Sequence, residues 1–98
     1  MITFKEFINE NIKKHMKAEA ESIMKDEQYK NKTEINAGSC FDFAFGTIQR
    51  MKSDGIKGMK LIRKPDHTWI KYKNKHYDVE HMNGVSDPKK LNFFKNKK

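Results

Sequence analysis

Ninety-eight residues with 36% hydrophobic content and a net charge of +8 bound the chain to one domain, residues 1–98, built on a single small core. No apolar run approaches the roughly 20 residues that cross a bilayer, and no signal-peptide pattern opens the chain. A single cysteine excludes an internal disulfide, so the expected compartment is the cytoplasm.

The first predicted element is a long amphipathic helix over residues 3–28, within an N-terminal segment 1–30. Thr3 and Glu6 form a capping-box pattern, and Phe4, Phe7, Ile8, Ile12, Met16, Ala20, Ile23 and Met24 recur at three- and four-residue steps as one apolar stripe. Residues 29–38 are polar without a sustained period and read as a loop. A second helix is expected from Cys40 to Ser53, with Ser39 as N-cap, Asp42 three positions on, and Asp54-Gly55 as the stop. Phe41, Ala44, Phe45, Ile48 and Met51 are its expected buried face.

The period then changes to that of strands. Ile56–Ile62 is a first strand, ended by Lys64-Pro65. His67–Tyr72 and Lys75–Glu80 make a hairpin around Lys73-Asn74. If those two residues are the turn, Tyr72 faces Lys75, Trp69 faces Asp78 and His67 faces Glu80, so His67, Trp69, Asp78 and Glu80 project to one face. An odd-length loop would turn both acids away. His76 and His81 are expected on the opposite face.

The tail, residues 83–98, is Lys-rich, with Leu91, Phe93 and Phe94 able to dock back on the domain. Residues 1–49 carry seven Lys and eight acids, whereas residues 50–98 carry fourteen basic residues and five acids, a net of +9. An acidic protein is the partner such a half would suit, and a Lys-rich solvated surface accounts for it equally. Only Arg50 and Arg63 are arginines, and arginine is what bidentate phosphate or guanine recognition favours, so nucleic acid is the poorer match.

Cys40 is where chemistry enters. A free thiol, with a pKa of about 8.5, is mostly protonated at neutral pH, and a helix N-terminus or a nearby imidazolium lowers that value. Cys40 sits at a helix start, and His67 could supply the imidazolium, with Asp78 or Glu80 accepting the other imidazole N–H. A small buried hydrophobe is the structural alternative for a lone cysteine. No cofactor is implied, and Cys40, His67, His76 and His81 lack any ligand-pair spacing that would favour zinc.

Gly38-Ser39-Cys40-Phe41-Asp42-Phe43-Ala44, Ser53-Asp54-Gly55-Ile56, His67-Thr68-Trp69 and Tyr77-Asp78-Val79, in that order, resemble the transglutaminase-like core of the papain-like cysteine protease superfamily. The likeness covers about residues 37–80, within a core placed at 37–82. It implies a catalytic triad of Cys40, His67 and Asp78, with Asp78 preferred to Glu80, and acyl transfer through a thioester. The substrate would be a protein or peptide amide, and the outcome peptidase, deamidase or transglutaminase chemistry. Cys40 N–H would be one oxyanion donor and Asn36 the second, Glu80 an orienting group, and Trp69 a wall of the substrate cleft. The 27-residue interval from Cys40 to His67 is short for that family. The expected fold is α+β: a long N-terminal helix and a cysteine-bearing helix packed on a small antiparallel sheet. The alternative function is a non-catalytic binding or inhibitory module on the same fold, turning its basic half to an acidic protein or nucleic acid.

Overall fold

A computed structural model describes residues 4–95, and side chains from residue 10 onward. The expected Thr3–Glu6 capping box and the stripe positions Phe4, Phe7 and Ile8 lie outside the described side chains. The architecture is α+β. Helices α1 (Phe4–Glu27), α2 (Lys32–Gly38) and α3 (Cys40–Ser53) precede a meander of strands β1 (Lys60–Arg63), β2 (Thr68–Tyr72), β3 (Lys75–Asp78) and β4 (His81–Val85). A 3₁₀ turn (Pro88–Lys90) and a short helix α4 (Asn92–Lys95) follow. The strands lie in sequence order, each antiparallel to its neighbour.

Helix α3 is the central piece, touching α1 on one side and β1, β2 and β3 on the other. From α1, Ile12, Met16, Ala20 and Ile23 are buried, the spacing of one helical stripe. The buried face of α3 is Phe43, Ala44, Thr47, Ile48 and Met51, which corrects the expectation for Phe41 and Phe45. The sequence offers apolar residues at 41, 43, 44, 45 and 48, more than one helix face can hold. Packing between α1 and the sheet selects the 43/44/47/48/51 face and leaves Phe41 and Phe45 exposed. Where α1 crosses α3 the helices come close: a Cβ on Gly46 would strike the Glu19 carboxylate, which accepts from Arg50 Nε at 2.7 Å.

Residues 29–38 are not all loop. Asn31 caps α2, its Oδ1 accepting the Glu34 N–H at 3.0 Å, and Ile35 anchors the helix in the core. Ser39 stands at the N-cap position of α3, but its hydroxyl meets Tyr29 Oη at 3.1 Å and makes no cap bond to α3. The first strand begins later than expected, at Lys60, because residues 56–59 run as irregular backbone after Gly55.

The β2–β3 register is Tyr72↔Lys75, Lys71↔His76 and Ile70↔Tyr77, with Lys73 at φ 55° in the turn. This is the two-residue hairpin of the sequence reading, and it sets the parity on which the site depends. By the same ladder His76 lies opposite Lys71, on the face that carries Trp69. His81 pairs with Asp78. Both histidines are therefore on the His67 face, not the opposite one. β4 arises within what reads as the tail: Asp78 Oδ1 accepts the Glu80 N–H at 3.0 Å, tightening the turn that reverses the chain. Gly84, at φ 82°, then passes under Tyr77, where a Cβ would come within 2.8 Å of the ring.

Candidate active site

Cys40 is the first residue of α3, and His67 immediately precedes β2. Asp78 is the last residue of β3, and as the diagonal neighbour of His67 across the hairpin it reaches the imidazole. His67 Nε2 and Asp78 Oδ2 are 3.2 Å apart, with side chains 0% and 1% exposed. Nδ1 is buried without a conventional hydrogen-bond partner among the described residues, which leaves it as the ring nitrogen for the Cys40 thiol. The thiol is partly exposed and interacts with His67.

The electrostatics follow from these contacts. Interaction with the His67 imidazole lowers the Cys40 pKa, burial opposes it, and the backbone N–H groups of Thr68 and Phe41, which face the sulfur, lower it further. Burial alone would push the His67 imidazole down. The hydrogen bond to Asp78 and the neighbouring thiol outweigh it, holding the ring at about 9 against an ordinary 6.5.

Asn36 does not point at the sulfur. Its Nδ2 donates to Asp78 Oδ2 at 3.2 Å and to Glu80 Oε1 at 2.8 Å. With both amide protons committed to carboxylates, Asn36 is not placed as an oxyanion donor. It bridges and orients the two acids. Glu80 does not reach the imidazole either, because it lies past the end of β3 in the turn. It accepts from Asn36, Thr33 and Asn92 instead. Trp69 is buried beneath the hairpin, with its indole N–H donating to His76 Nδ1 at 3.0 Å, so it is not a wall of an open cleft.

Two sets of residues and one contact of the tail escaped the sequence reading. The first is the pair of backbone amides at Thr68 and Phe41. The second is Thr33, which ties α2 to Glu80 at 3.1 Å. The third is the target of the tail, whose docking was expected. Phe93 stacks on the His67 ring with centroids 4.3 Å apart and planes 9° apart, and Phe94 meets both His67 and Trp69 edge-on. Asn92 holds the tail there, its backbone N–H donating to His81 Nε2 at 3.0 Å, and Leu91 is fully buried. The apolar spacing of Leu91, Phe93 and Phe94 signals docking, but nothing local to them names His67 as the target.

Among the described residues, no group of three or more His, Cys, Asp and Glu side chains is arranged to hold a metal ion, and no helix is long and apolar enough to cross a membrane. The chain matches no protein-family model, no curated protein and no solved structure.

Proposed function

We propose that the chain is a small thiol enzyme acting on a protein or peptide amide, with Cys40 as nucleophile, His67 as acid and base, and Asp78 as the orienting carboxylate. The observation that carries this reading is the buried His67 imidazole, held by Asp78 Oδ2 at 3.2 Å with Nδ1 left unbonded among the described residues, beside a helix-start thiol whose pKa it lowers. A purely structural histidine needs hydrogen-bond partners for its nitrogens. It does not need a thiol at a helix N-terminus with two backbone amides turned to the sulfur. The resemblance of residues 37–80 to the transglutaminase-like core of the papain-like superfamily supports the same assignment.

In this mechanism the Cys40 thiolate attacks the amide carbonyl carbon. The tetrahedral oxyanion forms beside the first-turn amides of α3, whose N–H groups have no intrahelical acceptor. His67 passes its Nδ1 proton to the leaving amine, and the C–N bond breaks to leave a thioester. An incoming water or amine gives a proton back to His67 as it attacks, and Cys40 departs as thiolate. Asp78 keeps Nε2–H hydrogen-bonded throughout, fixing the ring plane. Water as acceptor gives hydrolysis or deamidation, and an amine gives transamidation.

The test is the rate of Cys40 alkylation by iodoacetamide from pH 4 to 10. Wild type should show a midpoint well below the ordinary value of about 8.5, and His67→Ala should raise it. An ordinary midpoint, indifferent to His67, would transfer the reading to a non-catalytic binding module.

A further inference from the structure

Among the described residues, the exposed large hydrophobic side chains are Phe41, at 36%, and Phe45, at 49%. Their rings stack on one another with centroids 5.8 Å apart and planes 12° apart. A stacked pair of exposed aromatic rings is a contiguous apolar surface on which another apolar group can be buried. Its position is specific: Phe41 directly follows the candidate nucleophile, and Phe45 lies one turn further along α3.

Arg63 joins the same surface. Its guanidinium carbon stands 4.9 Å from the centre of the Phe41 ring, and its cross-strand partner is Thr68, whose N–H faces the Cys40 sulfur. Arg63 thus links the Phe41 ring to the strand position opposite Thr68, next to the candidate nucleophile. No ion pair among the described residues involves Arg63, whose guanidinium lies against the Phe41 ring. A guanidinium steadied over an aromatic face keeps its planar edge of N–H donors free to receive an anion.

We infer that Phe41, Phe45 and Arg63 form the specificity subsite of the Cys40 enzyme, and that its substrate is a peptide segment carrying an aromatic side chain beside a carboxylate. The aromatic group would extend the Phe41–Phe45 stack, and the carboxylate would pair with Arg63. This inference rests on the proposed function, and the experiment separates the two.

Dipeptidyl chloromethyl ketones alkylate a thiolate with loss of chloride. Three are compared, each paired with Phe or Ala next to the reactive ketone and Glu or Lys beside it: Glu-Phe, Lys-Phe and Glu-Ala. Modification at Cys40 is located by mass spectrometry, and each rate is divided by the iodoacetamide rate of the same variant. The Glu-Phe probe should exceed the Glu-Ala probe by about tenfold in wild type, as expected for one aromatic ring bound, and Phe45→Ser should erase that ratio. Glu-Phe should also exceed Lys-Phe, and Arg63→Glu should invert that order. Equal normalised rates in wild type, with iodoacetamide still reacting at a lowered midpoint, would overturn the subsite and leave the thiol enzyme standing. An ordinary iodoacetamide midpoint would overturn both. A dimer that dissociates in Phe45→Ser, with no probe preference, would overturn the subsite by assigning the rings to a second copy of the chain.

Discussion

At the scale of single residues, the pair formed by Cys40 and His67 should leave a signature in stability as well as reactivity. The folded value of His67, about 9, lies above its ordinary 6.5, so its contribution is complete below about 6.5 and is lost as pH climbs through 9. The Cys40 value is lowered, so its contribution is complete above the ordinary thiol range and is lost as pH falls through the lowered value. Between these limits the two slopes oppose each other. The decline that His67 alone would give between about pH 6.5 and 9 should therefore be flattened in wild type by the opposing gain from Cys40, read from urea titrations of wild type and His67→Gln across pH. A steady decline from pH 6.5, with no flattening, would detach the thiol from the pair. Asn36 gives a second prediction. Asn36→Ala leaves the Asp78 and Glu80 carboxylates facing each other without their shared donor, at a cost of about 1–3 kcal/mol, measured by the same titration. A loss under 0.5 kcal/mol (about the scatter of surface substitutions) would show that solvent replaces the amide. The placement of Cys40, His67 and Asp78 was legible because it follows from the start of an apolar-periodic helix and from strand parity, which are local rules. The direction of the Asn36 amide was not, because a short side chain four elements away along the chain from its partners has its orientation set entirely by tertiary packing.

Elements were legible in proportion to how much of their stability is their own. Helix α3 and the β2–β3 hairpin carry their signals within themselves, in an apolar spacing of 3.6 and a two-residue turn. α2 has seven residues, shorter than an isolated helix can sustain, and depends on Ile35 reaching the core. Its Asn31–Glu34 cap was nonetheless a readable sign. β4 has no alternation, contains Gly84, and owes its place to the turn that Asp78 closes. The four-residue α4 is the extreme case, since it has no intrinsic stability and is kept by Leu91, the two phenylalanines and Asn92. Replacing Phe93 tests that dependence. Phe93→Ala should destabilise the protein by about 1–3 kcal/mol through lost ring contact and burial. It should also raise the Cys40 alkylation midpoint, because water admitted to the His67–Asp78 pair weakens it. Phe93→Tyr should restore the midpoint. If Phe93→Ala kept the wild-type midpoint while losing stability, the tail would be a clamp on the sheet with no hold on the imidazole.

For the whole molecule, the relevant fact is where the excess positive charge falls on the fold. The +9 half contains the entire sheet, and the strand pairing brings like charges together: Lys60 lies directly opposite Lys71. Lys57, Lys60, Lys71 and Lys73 surround one recess beside Tyr72 and Gly58, with no acid among them. The positive charge of Lys71 also contributes, after burial, to lowering the His76 pKa. Directly opposed like charges weaken a sheet by a few tenths to about 1 kcal/mol, and opposite charges strengthen it by a similar amount. Lys60→Glu reverses the sign of this pair without touching the core, since Lys60 is exposed. It should stabilise the protein by about 0.5–1.5 kcal/mol at low ionic strength. The gain should shrink as salt is raised towards 1 M, where the screening length is about 3 Å. Thermal unfolding at 10 mM and 1 M sodium chloride reads both effects. A gain that persists undiminished in high salt would have to come from strand propensity or packing, and the repulsion between Lys60 and Lys71 would then be no part of what limits the stability of this sheet.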